Sequence, residues 1–450
     1  MKRILLTVVL ALFIAAFGKT QTTPITISPN QSVASYRMTY SEYNSWINND
    51  EFNSGKCNLL IKNIYQIFND EFDFIFLVLN EWFKPDNLHY AGIYKGISNA
   101  VTGIGSIIFD NCDLYGSSGK LKAVIALTTK QSINTGLGLH ELGHHWANHI
   151  ISTRDWDSGK SAEFVAGPHW GFTGGSTKSV LGGFQQSTLQ TNIGGNSDRY
   201  KVGSFQGNFN SDVPFTDLEL YLMGMIPLTD VADFDVFRGL SQVTSTTDWK
   251  GREFTASTRE TYDNAKISEA AGGERNPSYV TAQKDFRLLI VILTWIPLSS
   301  KDWSYFDSES ELFGRTSDVG FYNFWKATRG LGTIETGNLL DAVKDSVDLK
   351  DIVFTDPDSP QIEEITGLED IQIEGIAVFP NPLTGILNID FKSEDYTKVK
   401  IYNSQGILLA TERATFPLQQ FDFSDYKNGL YIIEVIKSSG EVRRIKIIKE

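Results

Sequence analysis

The chain has 450 residues, which is enough for two or three domains with buried cores. Its hydrophobic fraction of 41% and charged fraction of 21% are ordinary for a globular protein. The net charge of −14 at pH 7 argues against nucleic acid or an anionic membrane surface as the main partner.

Residues 1–18 have the pattern of a secretory signal peptide. Lys2 and Arg3 precede an apolar run, Leu5–Phe17, and small residues permit cleavage after Gly18. This run is too short to span a membrane as a helix. We therefore expect an exported protein whose mature chain has no membrane span.

Residues 19–55 are polar and predict a lead-in with little regular structure. Hydrophobic patterns then predict a helix over 57–68 and strands over 72–79, 106–109 and 121–127.

Export permits a disulfide between Cys57 and Cys112, and the sequence leaves a disulfide and two buried thiols equally open. Residues 155–213 are rich in Gly, Ser and Asn and predict a long functional or mobile loop.

The stretch His140-Glu141-Leu142-Gly143-His144 carries the strongest chemical signal. Residues four apart lie on one face of an α-helix, so His140 and His144 can present two imidazoles to one metal ion. Glu141 is suited to act as general base toward a water molecule at that metal. The alternative is a His-rich helix with hydrogen-bonded core imidazoles, since four of the six histidines fall within residues 140–149. We favour Zn²⁺ as the cofactor.

A catalytic zinc site requires a third protein ligand and an open position. A motif with a third histidine six residues after His144 is excluded, because Ala147 and Ile150 occupy its diagnostic positions. His145 and His149 would face away from the metal on an unbroken helix. The third ligand is therefore expected from elsewhere, and the candidates are, in order, Glu219, Asp217 and His169.

Glu219 is the first candidate for the third metal ligand because it stands between Leu218 and Leu220 on a short predicted helix. An ionised carboxylate in such apolar surroundings needs a hydrogen-bonding partner or a metal. The alternative places Glu219 on the wet face of an amphipathic helix. Tyr221 and His169 are the candidate donors to an oxyanion. His169 has an equally open alternative role, as a polar loop residue stacked on Trp170.

The C-terminal part of the chain changes character. Residues 349–375 are strongly acidic and predict a linker. Residues 376–450 contain short alternating strands separated by turns, which predict a small all-β, immunoglobulin-like sandwich. The whole chain is thus expected to be α+β, with its main domain over residues 56–348.

Two resemblances extend this interpretation. Val378-Phe-Pro-Asn-Pro382, Val399–Gly406 and Asn428-Gly-Leu-Tyr431 resemble the type A C-terminal sorting domain of type IX secretion. That resemblance implies an encounter with the type IX machinery, followed by release or attachment at the outer cell surface.

Residues 56–230 resemble a group of secreted bacterial zincin-like proteins. The shared marks are Gly103-Ile104-Gly105, Leu139–Trp146, His169-Trp170 and Leu218–Gly224. This resemblance implies a metallopeptidase of zincin-like fold.

The sequence therefore predicts a secreted zinc-dependent endopeptidase, a monomer that acts on a protein or peptide substrate. His140, His144 and Glu219 would bind the metal, and Glu141 would be the general base. Tyr221 or His169 would donate a hydrogen bond to the oxyanion. The alternative is a non-catalytic cell-surface adhesin or binding protein on a zincin fold.

Overall fold

The computed structural model describes residues 24–151, 168–206, 213–319, 321–354, 371–373, 376–380, 383, 385–391, 395–403, 408–439 and 442–449. The chain divides into two compact units, the first ending at Asp356 and the second beginning at Pro357. This division falls within the predicted acidic linker. The predicted signal peptide lies outside the described residues.

The described helices of the first unit are α1 Tyr40–Asn49, α2 Gly55–Ile67, α3 Cys112–Tyr115, α4 Leu137–Gly143, α5 Asp217–Met223, α6 Asn264–Ala271, α7 Ser300–Gly314 and α8 Phe324–Ala327. The strands are β1 Ile25–Ile27, β2 Ala34–Arg37, β3 Phe74–Leu79, β4 Gly92–Gly96, β5 Ser98–Asn99, β6 Phe109–Asp110, β7 Ala123–Leu127, β8 Gly174–Gly175, β9 Gly183–Gln185, β10 Arg199–Val202, β11 Phe205–Gln206, β12 Phe234–Ser245, β13 Arg252–Tyr262, β14 Asp285–Thr294 and β15 Thr333–Glu335. Among the described helices, none is long and apolar enough to cross a membrane.

A seven-stranded sheet organises the first unit. Its order is β1-β2-β14-β3-β7-β4, with β15 beside β14. The inner strands β2, β14, β3 and β7 are parallel, whereas β4 runs antiparallel to β7 at one edge. Parallel strands are buried on both faces, which explains why β3 reads as an unbroken apolar run.

The two faces of this sheet carry separate hydrophobic cores. In β3, Phe74 and Phe76 point into one core, which also contains Leu139 of α4. Ile75 and Leu77 point into the other core, which α2 covers. This alternation follows from the two-residue period of a strand. The histidine motif therefore lies in the first of these cores, on a fully buried helix that packs against β7 and the edge strand β4.

Two smaller sheets lie between α4 and α6 in the chain. Strands β10, β13 and β12 form one sheet, and β11, β9 and β8 form the other. They share an aromatic core that includes Phe172, Phe184, Phe237 and Phe254. Residues 168–206 are thus folded, in contrast to the long loop predicted for residues 155–213. The segment itself supplies Phe172 and Phe184, while β12 and β13 supply Phe237 and Phe254, so this core depends on residues that are distant in sequence.

The N-terminal region also differs from the prediction. Residues 25–37 contribute β1 and β2 to the main sheet, where β2 pairs with β14, so they belong to the domain and are not a lead-in. Of the strand predicted over 106–109, only Phe109 lies in a strand, the two-residue β6. The helix predicted over 57–68 and the strands predicted over 72–79 and 121–127 correspond to α2, β3 and β7.

Cys57 and Cys112 are both free and buried, so the structure has two thiols and not a disulfide. Cys57 is 0% exposed and Cys112 is 2% exposed. Burial raises the pKa of the Cys57 thiol to about 11. Both cysteines behave as small core residues.

The second unit contains β16 Ile371–Ile373, β17 Ile376–Phe379, β18 Ile386–Phe391, β19 Tyr396–Asn403, β20 Leu408–Arg413, β21 Leu418–Asp422, β22 Gly429–Lys437 and β23 Val442–Lys449. They form two four-stranded antiparallel sheets, β16-β17-β18-β21 and β20-β19-β22-β23. One hydrophobic core joins inward residues of both sheets, among them Ile389, Val399 and Ile433. The predicted all-β sandwich and the mixed α and β content of the chain are therefore confirmed.

Candidate metal centre

Helix α4 places the histidine motif in the core beneath the sheet. Gly136 precedes the helix with a φ of 97°, in the region that favours glycine. The helix ends at Gly143, but His144 keeps helical dihedrals of −63° and −12°. The four-residue spacing of His140 and His144 therefore still puts them on one face, as predicted.

His140, His144 and His169 converge. The Nε2 atoms of His140 and His169 are 3.0 Å apart, and those of His140 and His144 are 3.3 Å apart. Among the described residues, these three form the group whose ligand atoms lie within 4.8 Å of one another. His169, ranked behind Glu219 and Asp217 from the sequence, thus occupies the third position.

The outer nitrogens of the two helix histidines fix their tautomers. His140 Nδ1 is 2.8 Å from Val180 O, and His144 Nδ1 is 3.1 Å from Ala147 O. A carbonyl oxygen only accepts, so each Nδ1 carries the proton and each Nε2 presents a lone pair. Two Nε2 lone pairs that face each other at 3.3 Å are arranged as two ligands of one metal ion would be.

Burial keeps these imidazoles neutral, the form that binds metals. It lowers the pKa of His140 to about 3, and the neighbouring His169 acts in the same direction. Burial also lowers the pKa of His144 well below its ordinary value. Tetrahedral zinc with Zn–N bonds of about 2.05 Å separates its ligands by about 3.3 Å, so the observed nitrogen spacing fits Zn²⁺.

Glu141 lies beside this group, against the edge strand. A Cβ placed on Gly92 of β4 would be 2.8 Å from Glu141 Cγ and 2.9 Å from Oε1. The Tyr94 backbone N–H donates to the Glu141 carboxylate, and burial raises the pKa of that carboxyl to about 8. Strand β4 was not predicted, because two glycines and half-exposed side chains give it a weak pattern.

His145 and His149 lie outside the converging group, as expected, but α4 ends at Gly143, so the argument from an unbroken helix does not account for His149. His145 Nδ1 is 3.1 Å from the Tyr94 hydroxyl oxygen. Its ring packs edge-on against Phe74, with 5.4 Å between the ring centroids. His145 therefore joins the helix to the sheet.

Glu219 is not part of the histidine group, which corrects its predicted role as third ligand. It is 0% exposed, and its Oε1 accepts hydrogen bonds from Trp170 Nε1 at 2.8 Å and Ser179 Oγ at 2.5 Å. Its Oε2 accepts from the Thr216 backbone N–H at 2.6 Å and the Thr216 hydroxyl at 3.0 Å. The buried carboxylate has the partners that its leucine-rich surroundings demanded, but those partners are donors and not a metal.

Asp217 and Tyr221 also have other partners. Asp217 pairs with Arg329 at 2.6 Å. Tyr221 is 4% exposed. Its hydroxyl oxygen accepts a hydrogen bond from Arg275 N at 3.1 Å. Both residues lie on α5, which Thr216 caps and Gly224 ends.

Comparison with known proteins identifies the second unit. Residues 377–450 match the family described as the secretion system C-terminal sorting domain. The C-terminal unit is thus a domain that directs export by the type IX secretion system to the cell surface or extracellular space. The predicted contact with the secretion machinery and the predicted localisation are confirmed.

Individual relatives align with this chain over short lengths. Beta-agarase D of Zobellia galactanivorans is 36% identical over 75 residues, which are 17% of this chain and 15% of the agarase. Among solved structures, a DUF3244 family protein from Bacteroides vulgatus, with an immunoglobulin-like β-sandwich fold, aligns at 14% identity. That alignment covers 17% of this chain and 85% of the other, with a TM-score of 0.16.

Proposed function

We propose that this protein is a secreted zinc-dependent endopeptidase whose metal is held by His140, His144 and His169. The convergence of the three Nε2 atoms, at 3.0 and 3.3 Å, carries the proposal. Three imidazole ligands leave the fourth position of a tetrahedral site open, as a hydrolytic centre requires. A structural zinc site would instead be closed by a fourth protein ligand.

Glu141 is the base in this proposal. Zn²⁺ held by His140, His144 and His169 would supply Lewis acidity for the activation of water and the polarisation of a carbonyl group. The Glu141 carboxylate takes the proton of the attacking water and passes it to the leaving nitrogen. Its contact with Gly92 and the hydrogen bond from Tyr94 N hold it beside the histidines.

The edge strand supports a peptide as substrate. Within the described residues the strand order ends at β4, so an extended peptide could pair with the outer main-chain groups of β4 other than Tyr94 N, which donates to Glu141. Glu141 contacts this same strand at Gly92. A peptide paired with β4 would therefore pass beside the base. A mainly parallel sheet with an antiparallel edge strand next to this helix also supports a zincin-like domain.

The proposal is tested by metal content and by cleavage of denatured casein, with and without a chelator. Wild type should hold one zinc per chain and cleave casein in a chelator-sensitive manner. Glu141→Gln preserves the shape of the side chain but removes the base, so it should retain zinc and lose at least about 100-fold in activity. Zinc binding without cleavage in either protein would instead indicate a cell-surface binding protein.

A further inference from the structure

Glu219 is a buried carboxylate for which the proposed chemistry has no direct use. Its two oxygens accept four hydrogen bonds, from Trp170, Ser179 and both donors of Thr216. The bond from Thr216 N belongs to the capping box of α5, whose other half is Glu219 N donating to Thr216 Oγ1. The bonds from Trp170 and Ser179 leave this helix and reach the segment that carries His169 and Val180.

The Ser179 bond leads to His140. Ser179 Oγ donates to Glu219 and accepts from Leu181 N at 2.9 Å. The Ser179 and Gly182 backbones exchange hydrogen bonds of 3.0 and 2.9 Å. Val180 is held inside this turn, and its carbonyl accepts from His140 Nδ1 at 2.8 Å. Glu219 therefore fixes the turn that orients the His140 ring.

The Trp170 bond leads to His169. Trp170 Nε1 donates to Glu219, and Trp170 N donates to Leu181 O at 3.0 Å. Trp170 is 2% exposed, so its indole ring has a fixed position in the core. Because His169 is the preceding residue, its backbone position follows from that of Trp170.

We propose that Glu219 is a positioning residue that sets two of the three imidazoles through Ser179 and Trp170. This inference rests on the proposed metal site and assigns Glu219 no contact with the metal. Partners behind the ligands orient their rings, and loss of such partners typically lowers metal affinity 10- to 100-fold. A single carboxylate that serves two ligands should give an effect toward the upper end of this range.

Glu219→Gln is a sharp test because it retains the size of the side chain. An amide has one oxygen and one NH₂ group, so its NH₂ must face either the Trp170 and Ser179 donors or the Thr216 donors. The N–H donor of that pair, Trp170 Nε1 or Thr216 N, then loses its acceptor in a buried site, because only the hydroxyl of the pair can accept from an NH₂ group. Asp307→Asn is the matched control, since Asp307 is also buried, at 4% exposed, and accepts from Ser32 Oγ at 2.5 Å.

The affinity for zinc is measured in the full chain by competition with a chromophoric chelator, and the visible spectrum of bound Co²⁺ reports ligand geometry. We expect Glu219→Gln to bind zinc about 30- to 100-fold more weakly than wild type, with an altered Co²⁺ spectrum. Asp307→Asn should keep the wild-type affinity and spectrum even where it lowers the melting temperature.

Wild-type affinity and spectrum in Glu219→Gln would overturn the positioning role, as would equal losses in both variants. If Glu219→Gln does not fold, Ser179→Ala and Trp170→Phe each remove one of the two connections. Each should weaken zinc binding several-fold, and unchanged affinity in both would overturn the inference. Failure of wild type to bind zinc would overturn the proposed metal site itself, which separates the two claims.

Discussion

His140 and His169 face each other through their Nε2 atoms at 3.0 Å, although 29 positions separate them in the chain. His140 belongs to α4 under the main sheet, whereas His169 belongs to the segment that enters the smaller aromatic core. A metal bound between them therefore joins two parts of the first unit. Binding energy at this site should stabilise the folded state.

We expect His169→Ala to reduce zinc affinity by more than about 100-fold, because it removes a ligand and not merely a partner behind a ligand. Chelator competition measures the affinity. His89→Ala is the control, since His89 is exposed and lies outside the converging group. Wild-type affinity in His169→Ala would show that another residue supplies the third ligand.

Gly92→Ala should lower kcat while leaving zinc content unchanged. The new Cβ would meet Glu141 at 2.8 Å from Cγ, so the base must move away from the edge strand. A misplaced catalytic group can cost about 100-fold in rate. Gly55→Ala is the control, because a Cβ there has no atom within 4 Å. Unchanged cleavage of casein by Gly92→Ala would contradict the role of this contact.

The two cysteines provide a chemical test of the fold. Cys57 and Cys112 are buried and free, so the native protein should not react with a thiol reagent. Unfolding in denaturant without reductant should release two reactive thiols per chain. Thiol titration measures both states. A count of zero after unfolding would show a disulfide and contradict the separate thiols.

Glu309 should make the stability of the fold depend on pH. Burial raises the pKa of its carboxyl to about 7 in the folded state, from an ordinary value of 4.5. The folded state thus binds more protons between these values, and Glu309 lowers the free energy of unfolding as pH rises from 4.5 to 7. Removal of this carboxylate should therefore stabilise the protein at pH 8 but not at pH 4.

Urea unfolding of Glu309→Gln at these two pH values measures the difference. A fully buried group with this shift would contribute about 3 kcal/mol, and solvent screening of the partly exposed Glu309 reduces our expectation to about 1 kcal/mol. Glu311→Gln, on the exposed side of α7, should change stability by less than about 0.5 kcal/mol at either pH. Equal effects of Glu309→Gln at both pH values would contradict the titration.

Much of the secondary structure of the first unit could be predicted because it is determined by sequence patterns within each element. The apolar runs of β3 and β7 are long enough to indicate buried strands, and Thr216 and Gly224 mark the ends of α5. The edge strand β4 was missed because its pairing with β7 depends on residues more than 25 positions away. Two-residue strands such as β8 likewise have no recognisable local pattern.

The candidate site divides in the same way. The helix period alone brings His140 and His144 together, as predicted. The third position depends on how residues 168–182 fold against α5, and no local spacing contains that information. The sequence correctly indicated that a carboxylate among leucines needs a strong partner. It could not show that Trp170, Ser179 and Thr216 are the partners of Glu219, or that His169 is the residue that joins His140 and His144.

Zinc-edge X-ray absorption of the purified wild-type protein, combined with its zinc content, tests the proposed metal centre most directly. We predict one zinc per chain, with three imidazole nitrogens at about 2.0–2.1 Å and one exchangeable oxygen ligand. A fourth protein ligand would contradict an open hydrolytic site. A carboxylate in place of the third imidazole would contradict the assignment of His169, and the absence of bound zinc would contradict the metal centre as a whole.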